Sequence, residues 1–269
     1  MTHFLTRSLT RRVRVARSGR STLAAAAAVL ALAACGTTDA ADPFSPTGET
    51  GRVRFVSLIT DTTRGRVNAI LEGVPFGVNL TYTQSTPATL PAPNTANYSA
   101  IYTGNRTLVL KRTADTNTVV ATIPFTVAAN QDRTIYAIGG AAGTAVTSYL
   151  TTDDNTLPSA TQVKVRVVHL SPTAGAVDVF VTAPGADLAT ATPVLSNVAY
   201  QVASPYLTVV PGTYQVRTVP AGTAPAARAA AVNINLASLA LAGGTVRTVV
   251  AADNSTGGAP LRAFALSDR

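Results

Sequence analysis

The stretch Val163-Lys164-Val165-Arg166-Val167-Val168-His169-Leu170-Ser171-Pro172, followed by Val177-Asp178-Val179-Phe180-Val181, constrains this chain more than any other. Valine recurs at every second position with charged side chains at some of the alternate ones, and β-branched residues suit a pleated, half-buried surface. The two runs therefore read as strands joined by a Ser-Pro-Thr-Ala-Gly turn, in which proline and glycine set the geometry. A weaker copy lies upstream as Val53-Arg54-Phe55-Val56-Ser57-Leu58 and Val67-Asn68-Ala69-Ile70-Leu71. A separation of 112 residues aligns Val53 with Val165, and also Thr134-Ile135-Tyr136-Ala137 with Val246-Arg247-Thr248-Val249. One spacing that serves both ends marks a duplicated domain rather than a solenoid unit.

Strands are expected in the first copy near residues 53–59, 67–71, 78–82, 98–102, 107–112, 119–127, 134–138 and 147–151. In the second they are expected near 163–170, 177–182, 194–198, 206–210, 213–219, 230–236, 246–252 and 261–266. Turn residues separate these runs, and no amphipathic stretch is long enough for a helix. The pattern predicts an all-β chain of two tandem immunoglobulin-like antiparallel β-sandwich domains, 51–157 and 158–269, joined by a solvated linker over 151–159. Each copy holds a full set of strands, so each is expected to fold by itself.

The formal net charge of +8 points to a polyanion partner until the charges are placed. Six of the 21 basic residues, Arg7, Arg11, Arg12, Arg14, Arg17 and Arg20, precede residue 21 with no acid among them. Without residues 1–34, fifteen basic side chains face 13 acidic ones, a net of +2, and no nucleic-acid partner is expected. From Leu23 to Ala34 runs an apolar segment the length of a signal-peptide core, short of the roughly 20 residues a membrane span needs. It ends in Leu32-Ala33-Ala34-Cys35-Gly36, which resembles the lipobox of bacterial lipoproteins. That resemblance implies a lipoprotein signal peptide over 1–34, cleavage between Ala34 and Cys35, lipid on Cys35, and a flexible tether over 35–50. Attachment is then to a membrane through an N-terminal lipid anchor. Gly36 in place of aspartate implies the outer membrane of a cell envelope. The single cysteine of the chain is assigned to lipid, which leaves none for a disulfide.

The Val-Arg-Val-Val-His-x-Ser-Pro run at 165–172, Val177-Asp178-Val179 and Pro211-Gly212-Thr213-Tyr214 together resemble the bacterial domain of unknown function 4397 family. In the first copy Ser-Pro is lost and Asn68 stands where Asp178 would sit. The resemblance implies an exported β-sandwich and names no activity.

Outside the leader, His169 is the one histidine, so a zinc or haem site lacks ligands and no metal or cofactor is expected. Asp153, Asp154 and Asn155 are rich in oxygen but lack the spaced carboxylates of a calcium loop. Ser171, His169 and Asp178 supply the residue types of a hydrolase triad without a Gly-x-Ser-x-Gly elbow. The expectation is instead that His169 bonds the turn and Asp178 caps or pairs nearby. The chain is accordingly expected to be no enzyme but a module for adhesion, scaffolding or binding of a glycan or an envelope protein. A periplasmic or surface hydrolase and a structural spacer are the alternatives. Recognition usually sits on loops carried by a rigid scaffold, which makes His169, Ser171, Pro172, Pro211 and Gly212 the candidate binding-loop residues. The eight tyrosines supply candidates for a sugar-stacking patch.

Overall fold

A computed structural model describes residues 48–61, 63, 65–87 and 97–269. The signal peptide, Ala34, Cys35 and nearly all of the expected tether lie outside the described residues.

The N-terminal half contains β1 (Thr50–Ile59), β2 (Val67–Leu71), β3 (Val74–Leu80), β4 (Ser85–Thr86), β5 (Ser99–Tyr102), β6 (Gly104–Arg112), β7 (Asp115–Val127), β8 (Asp132–Gly139) and β9 (Val146–Asp153). The C-terminal half contains β10 (Val163–Leu170), β11 (Val177–Thr182), β12 (Leu195–Val198), β13 (Val202–Ala203), β14 (Leu207–Val209), β15 (Gly212–Pro220), β16 (Ile234–Leu241), β17 (Thr245–Ala252) and β18 (Arg262–Ser267). Each half forms two sheets. Their orders are β3-β2-β6-β7 and β4-β1-β8-β9 in the first, with β5 also on β1. In the second they are β12-β11-β15-β16 and β13-β10-β17-β18, with β14 also on β10. The architecture is the expected all-β pair of sandwiches. Each half also contains one parallel pair, β1 with β8 and β10 with β17, because side-chain alternation reports a strand's faces and not its direction.

Two details of the sequence reading change. The strand expected at 230–236 lies at Ile234–Leu241, where Ile234, Leu239 and Leu241 are buried and the register on β15 shifts between Tyr214 and Val216. Such a bulge resets the alternation that places a strand by pattern. Pairing also sets Thr134 opposite Arg54 and Thr248 opposite Arg166, so β8 recurs as β17 at a separation of 114 residues rather than 112. A slip of two residues keeps the same side chains on the same face.

Of the four apolar clusters among the described residues, three fill the sandwiches and the space between them. Val53, Phe55, Ile59, Leu108, Leu110 and Ile135 fill the first sandwich, and Val163, Val165, Val167, Val179, Val216 and Val249 fill the second. The third layer was not anticipated. It packs Val56, Leu58, Tyr136 and Ile138 on the other face of β1 and β8 against Val168, Leu170, Val250, Ala252 and Leu266. The four sheets therefore stack, and β1 and β10 are covered on both faces, which explains their nearly continuous apolar composition. The charged positions that alternate with valine are buried as well: Arg54 and Arg166 are 1% and 2% exposed.

Candidate functional site

A buried guanidinium requires partners, and each arginine finds them in the opposite half. Arg54 donates from Nη2 to Asp268 Oδ1 at 2.6 Å and from Nη1 to the Ser267 carbonyl at 3.1 Å. Arg166 donates from Nη2 to Asp153 Oδ1 and from Nη1 to the Thr152 carbonyl at 3.1 Å. Thr134 holds Arg54 and Thr248 holds Arg166, and each threonine passes its own proton to the aspartate of its own half at 2.5 Å. Arg54 stacks over Tyr98 at 4.6 Å and Arg166 over Tyr206 at 4.9 Å. The result is a pair of crossed ion pairs with pseudo-twofold symmetry. Burial opposes the charge on both arginines, but the neighbouring carboxylates outweigh it and raise their pKa values.

This arrangement draws Asp153 of the expected linker into the seam, and the oxygen-rich residues beside it are bound within the protein. Asp153 also accepts from Tyr98 and Thr151, Asp154 binds Lys164 Nζ at 2.5 Å, and Asn155 donates to Asp132 at 2.6 Å. The three residues turn to different partners instead of a common centre. Among the described residues no group of three or more His, Cys, Asp or Glu side chains converges.

At the end of β10, His169 is fully buried and its Nε2–H donates to the Gly175 carbonyl at 2.7 Å. Its Nδ1 receives the Ser171 amide at 3.4 Å, which fixes a neutral Nε2–H tautomer. Burial lowers the imidazole below its ordinary pKa. The Ser171 hydroxyl donates to Asp253 Oδ1, while Thr173 Oγ1 and the Gly258 amide donate to Asp253 Oδ2 at 2.7 and 2.8 Å. Asp178 lies elsewhere and accepts the amides of Asn197 and Gly222 at 2.9 and 3.1 Å. Ser171, His169 and Asp178 thus form no proton relay: the serine proton faces Asp253, and the histidine proton faces a carbonyl. Asn68 does in the first half what Asp178 does in the second, accepting the amide of Asn79 at 2.8 Å. Asn79 and Asn197 both adopt positive φ, 57° and 53°, beside register shifts in β2–β3 and β11–β12.

The five candidate loop residues do not converge. His169 pairs with Val202 near one end of β10, whereas β14, which leads into Pro211 and Gly212, pairs with Val163-Lys164-Val165 at the other. None of the eight tyrosines is exposed. Tyr214 is a corner tyrosine whose hydroxyl donates to the Val210 carbonyl at 2.8 Å.

What does converge is the seam between the halves. A pocket of about 380 Å³ is lined by Leu58, Thr60, Tyr82, Ile138, Gly139 and Ala141 from the first half. Leu170, Pro172, Thr173, Ala252, Asp253, Thr256, Gly257 and Gly258 line it from the second. Leu58 and Leu170 are equivalent residues of the two copies, at the ends of β1 and β10. Gly257 has φ 86°, and a Cβ there would lie 2.8 Å from that of Ala141, so glycine permits the close approach of the two loops. The Tyr82 hydroxyl crosses the seam to the Asp253 carbonyl, and burial, with Asp253 next, pushes its pKa up to about 12. Of the five candidate loop residues Pro172 lines this pocket, and of the eight tyrosines Tyr82 does. The remainder depend on how the copies pair, and a single copy carries no signal of that.

Comparison with known proteins places this geometry in a wider setting. No curated protein matches the chain. A solved leucine-rich repeat protein from Bacteroides thetaiotaomicron is 14% identical with a TM-score of 0.19. The match covers 75% of this chain and 26% of that one, so the chain spans about a quarter of that protein's length. Family 41 carbohydrate-binding modules from streptococcal virulence factors, described for α-glucan recognition, are 8% identical with a TM-score of 0.24 over 80% of this chain and 96% of theirs. A family model matches residues 67–180 and 181–269, the first segment running on from the first sandwich through most of β11. With that match extending over well more than half its length, the chain belongs to the family described as domain of unknown function DUF4397.

Proposed function

We propose that this chain is a non-catalytic binding module of the cell envelope, anchored by lipid at Cys35, and that its ligand site is the pocket at the seam. The observation that carries this reading is the composition of that pocket from both copies, held on a body fastened by crossed ion pairs. Concave, preformed sites with apolar walls and a few fixed polar groups are where ligands usually bind. The side chains best suited to catalysis have their protons committed within the protein, His169 to Gly175 and Ser171 to Asp253. With every tyrosine at least partly covered, the surface favours a partner held by aliphatic and oxygen groups over one stacked on aromatic rings.

The test is a screen of the purified protein on glycan and envelope-protein arrays, repeated with Thr256→Trp, which places a bulky ring at an exposed position of the pocket lip. The expected result is a ligand that the wild type retains and the variant loses. A ligand retained by both moves the site elsewhere, and turnover of ester or glycoside substrates would restore the hydrolase reading. Cys35→Ser should leave the precursor uncut and unlabelled by radioactive palmitate.

A further inference from the structure

The carboxylate that lines the seam pocket differs from three of the other buried ones. Asp132, Asp153 and Asp268 each bind an arginine. Asp253 is 6% exposed, and its partners are two hydroxyls and one amide, all uncharged. Its neighbour His169 supplies no counter-charge, because its Nδ1 accepts the Ser171 amide and its one proton faces the Gly175 carbonyl. The exposed Arg262 acts on the Tyr82 hydroxyl but makes no ion pair with Asp253 among the described residues. Asp178 also lacks a cation among the described residues, yet it caps two backbone amides and does not line the seam pocket.

The hydroxyls around the pocket reinforce this bias. Thr60 Oγ1 donates to the Gly139 carbonyl, Thr173 Oγ1 to Asp253 and Thr256 Oγ1 to Asn254. A hydroxyl has one proton and two lone pairs, so these three offer a ligand lone pairs only. Between them lie the buried aliphatic groups of Leu58, Ile138, Leu170 and Ala252. A buried carboxylate without a cation is costly, and a bound cation with hydrogens to donate offsets that cost.

From this we infer that the seam pocket accepts a short aliphatic chain ending in a primary ammonium, with the ammonium on Asp253 and Thr60 and the methylenes on Leu58 and Leu170. The inference rests on the seam pocket being the ligand site. The same chemistry is offered by a free alkylamine and by the side chain of a lysine in a peptide.

The experiment measures calorimetric affinity of the purified protein for n-pentylammonium, n-pentanol and n-pentanoate, and for acetyl-Gly-Lys-Gly-amide with and without Nε-acetylation of the lysine. The expected result is that pentylammonium binds at least tenfold more tightly than the neutral or anionic chain. Tighter binding of the lysine peptide, abolished by Nε-acetylation, identifies a protein side chain as the source, and binding of pentylammonium alone identifies a free amine. Asp253→Asn should remove the preference for the cation. Should that variant fold poorly, Thr60→Val serves, because the Thr60 amide still donates to the Gly139 carbonyl, and at least a threefold loss of affinity is expected. Equal affinity for cation and anion, no binding of either amine, or binding unaffected by Thr256→Trp overturns the inference. If the amines fail while an array ligand is still lost in Thr256→Trp, the ligand class falls and the pocket stands. If Thr256→Trp loses no ligand of any kind, the pocket itself falls.

Discussion

The turns that follow β1 and β10 occupy the same place in two copies of one fold, yet they are built from opposite materials. In the second half His169, Ser171, Thr173 and Asp253 form a network with every proton placed. In the first half Ser57 stands for His169, Ile59 for Ser171, and Gly139 for Asp253. The Ser57 hydroxyl is buried without a partner, and Ile59 joins the apolar core. The duplication has kept the backbone and the crossed arginines while its two turns diverged, so that both copies give the pocket aliphatic surface and the second alone gives it a carboxylate. A symmetric pocket would present the same group twice. This one has a direction.

The equivalence of the halves is tested most severely at the arginines. Removing one partner from a buried ion pair costs about 3–5 kcal/mol, and Arg54→Met and Arg166→Met should lose similar amounts in chemical denaturation. Replacing both members, as in Arg54→Met with Asp268→Leu, should recover most of the loss. A large inequality between the two single variants would break the pseudo-twofold account. For the same reason the fragments 51–157 and 161–269 are expected to fold poorly apart, since each would expose its share of the third core and strand one arginine. Two separate cooperative transitions with undiminished midpoints would restore independent domains.

A smaller effect separates the two turns. His169→Ala leaves the Gly175 carbonyl without its donor and should cost about 1–3 kcal/mol, whereas Ser57→Ala removes a hydroxyl with no partner and should be neutral or stabilising. The same pair predicts a pH response. The native imidazole titrates below its unfolded value of about 6.5, so the unfolded chain takes up the proton first. This contribution to stability is complete above about pH 6.5 and declines as the pH falls below it. Comparing denaturation midpoints at pH 7.5 and 5.5 should show a decline that His169→Gln flattens and Ser57→Ala leaves intact.

The weakest expected difference is at the rim. Arg52 grips Asp132 through two hydrogen bonds of 2.6 and 2.5 Å, while its counterpart Lys164 holds a half-exposed Asp154. The Lys164 hydrogen bond, with those from Thr156, holds the Asp154 carboxyl down to about 2. The stabilisation is present above the ordinary carboxylate range and fades as pH falls toward 2, but solvent screens it. Lys164→Met is expected to cost at most about 1 kcal/mol, and less at high salt.

Much of the fold was legible because valine alternation and turn residues are local signals: β2, β10 and β11 fall where the pattern put them. Asn68 was also placed correctly opposite Asp178, since both serve a short-range bulge. The seam was not legible. Arg54 and Arg166 sit at positions that alternate with core residues, and a single sheet with one wet face would send such side chains to solvent. Only a second sheet, more than a hundred residues away, covers them. The role of Asp253 was missed because it follows β17, and the hydroxyls its carboxylate meets, Ser171 and Thr173, lie 82 and 80 residues earlier in the chain.

The crossed pairs also impose an order in time. Arg54 lies 214 residues from Asp268, and the parallel pairing of β1 with β8 already joins positions 80 residues apart. A chain emerging from a ribosome or an export channel presents Arg54 and the apolar outer face of β1 long before their partners exist. Closing contacts of such separation is slow, and the unfinished first sandwich carries an uncovered sheet face in the interval. That face is therefore expected to stay uncovered until β18 arrives. Assembly at the seam is the event that ends the exposure.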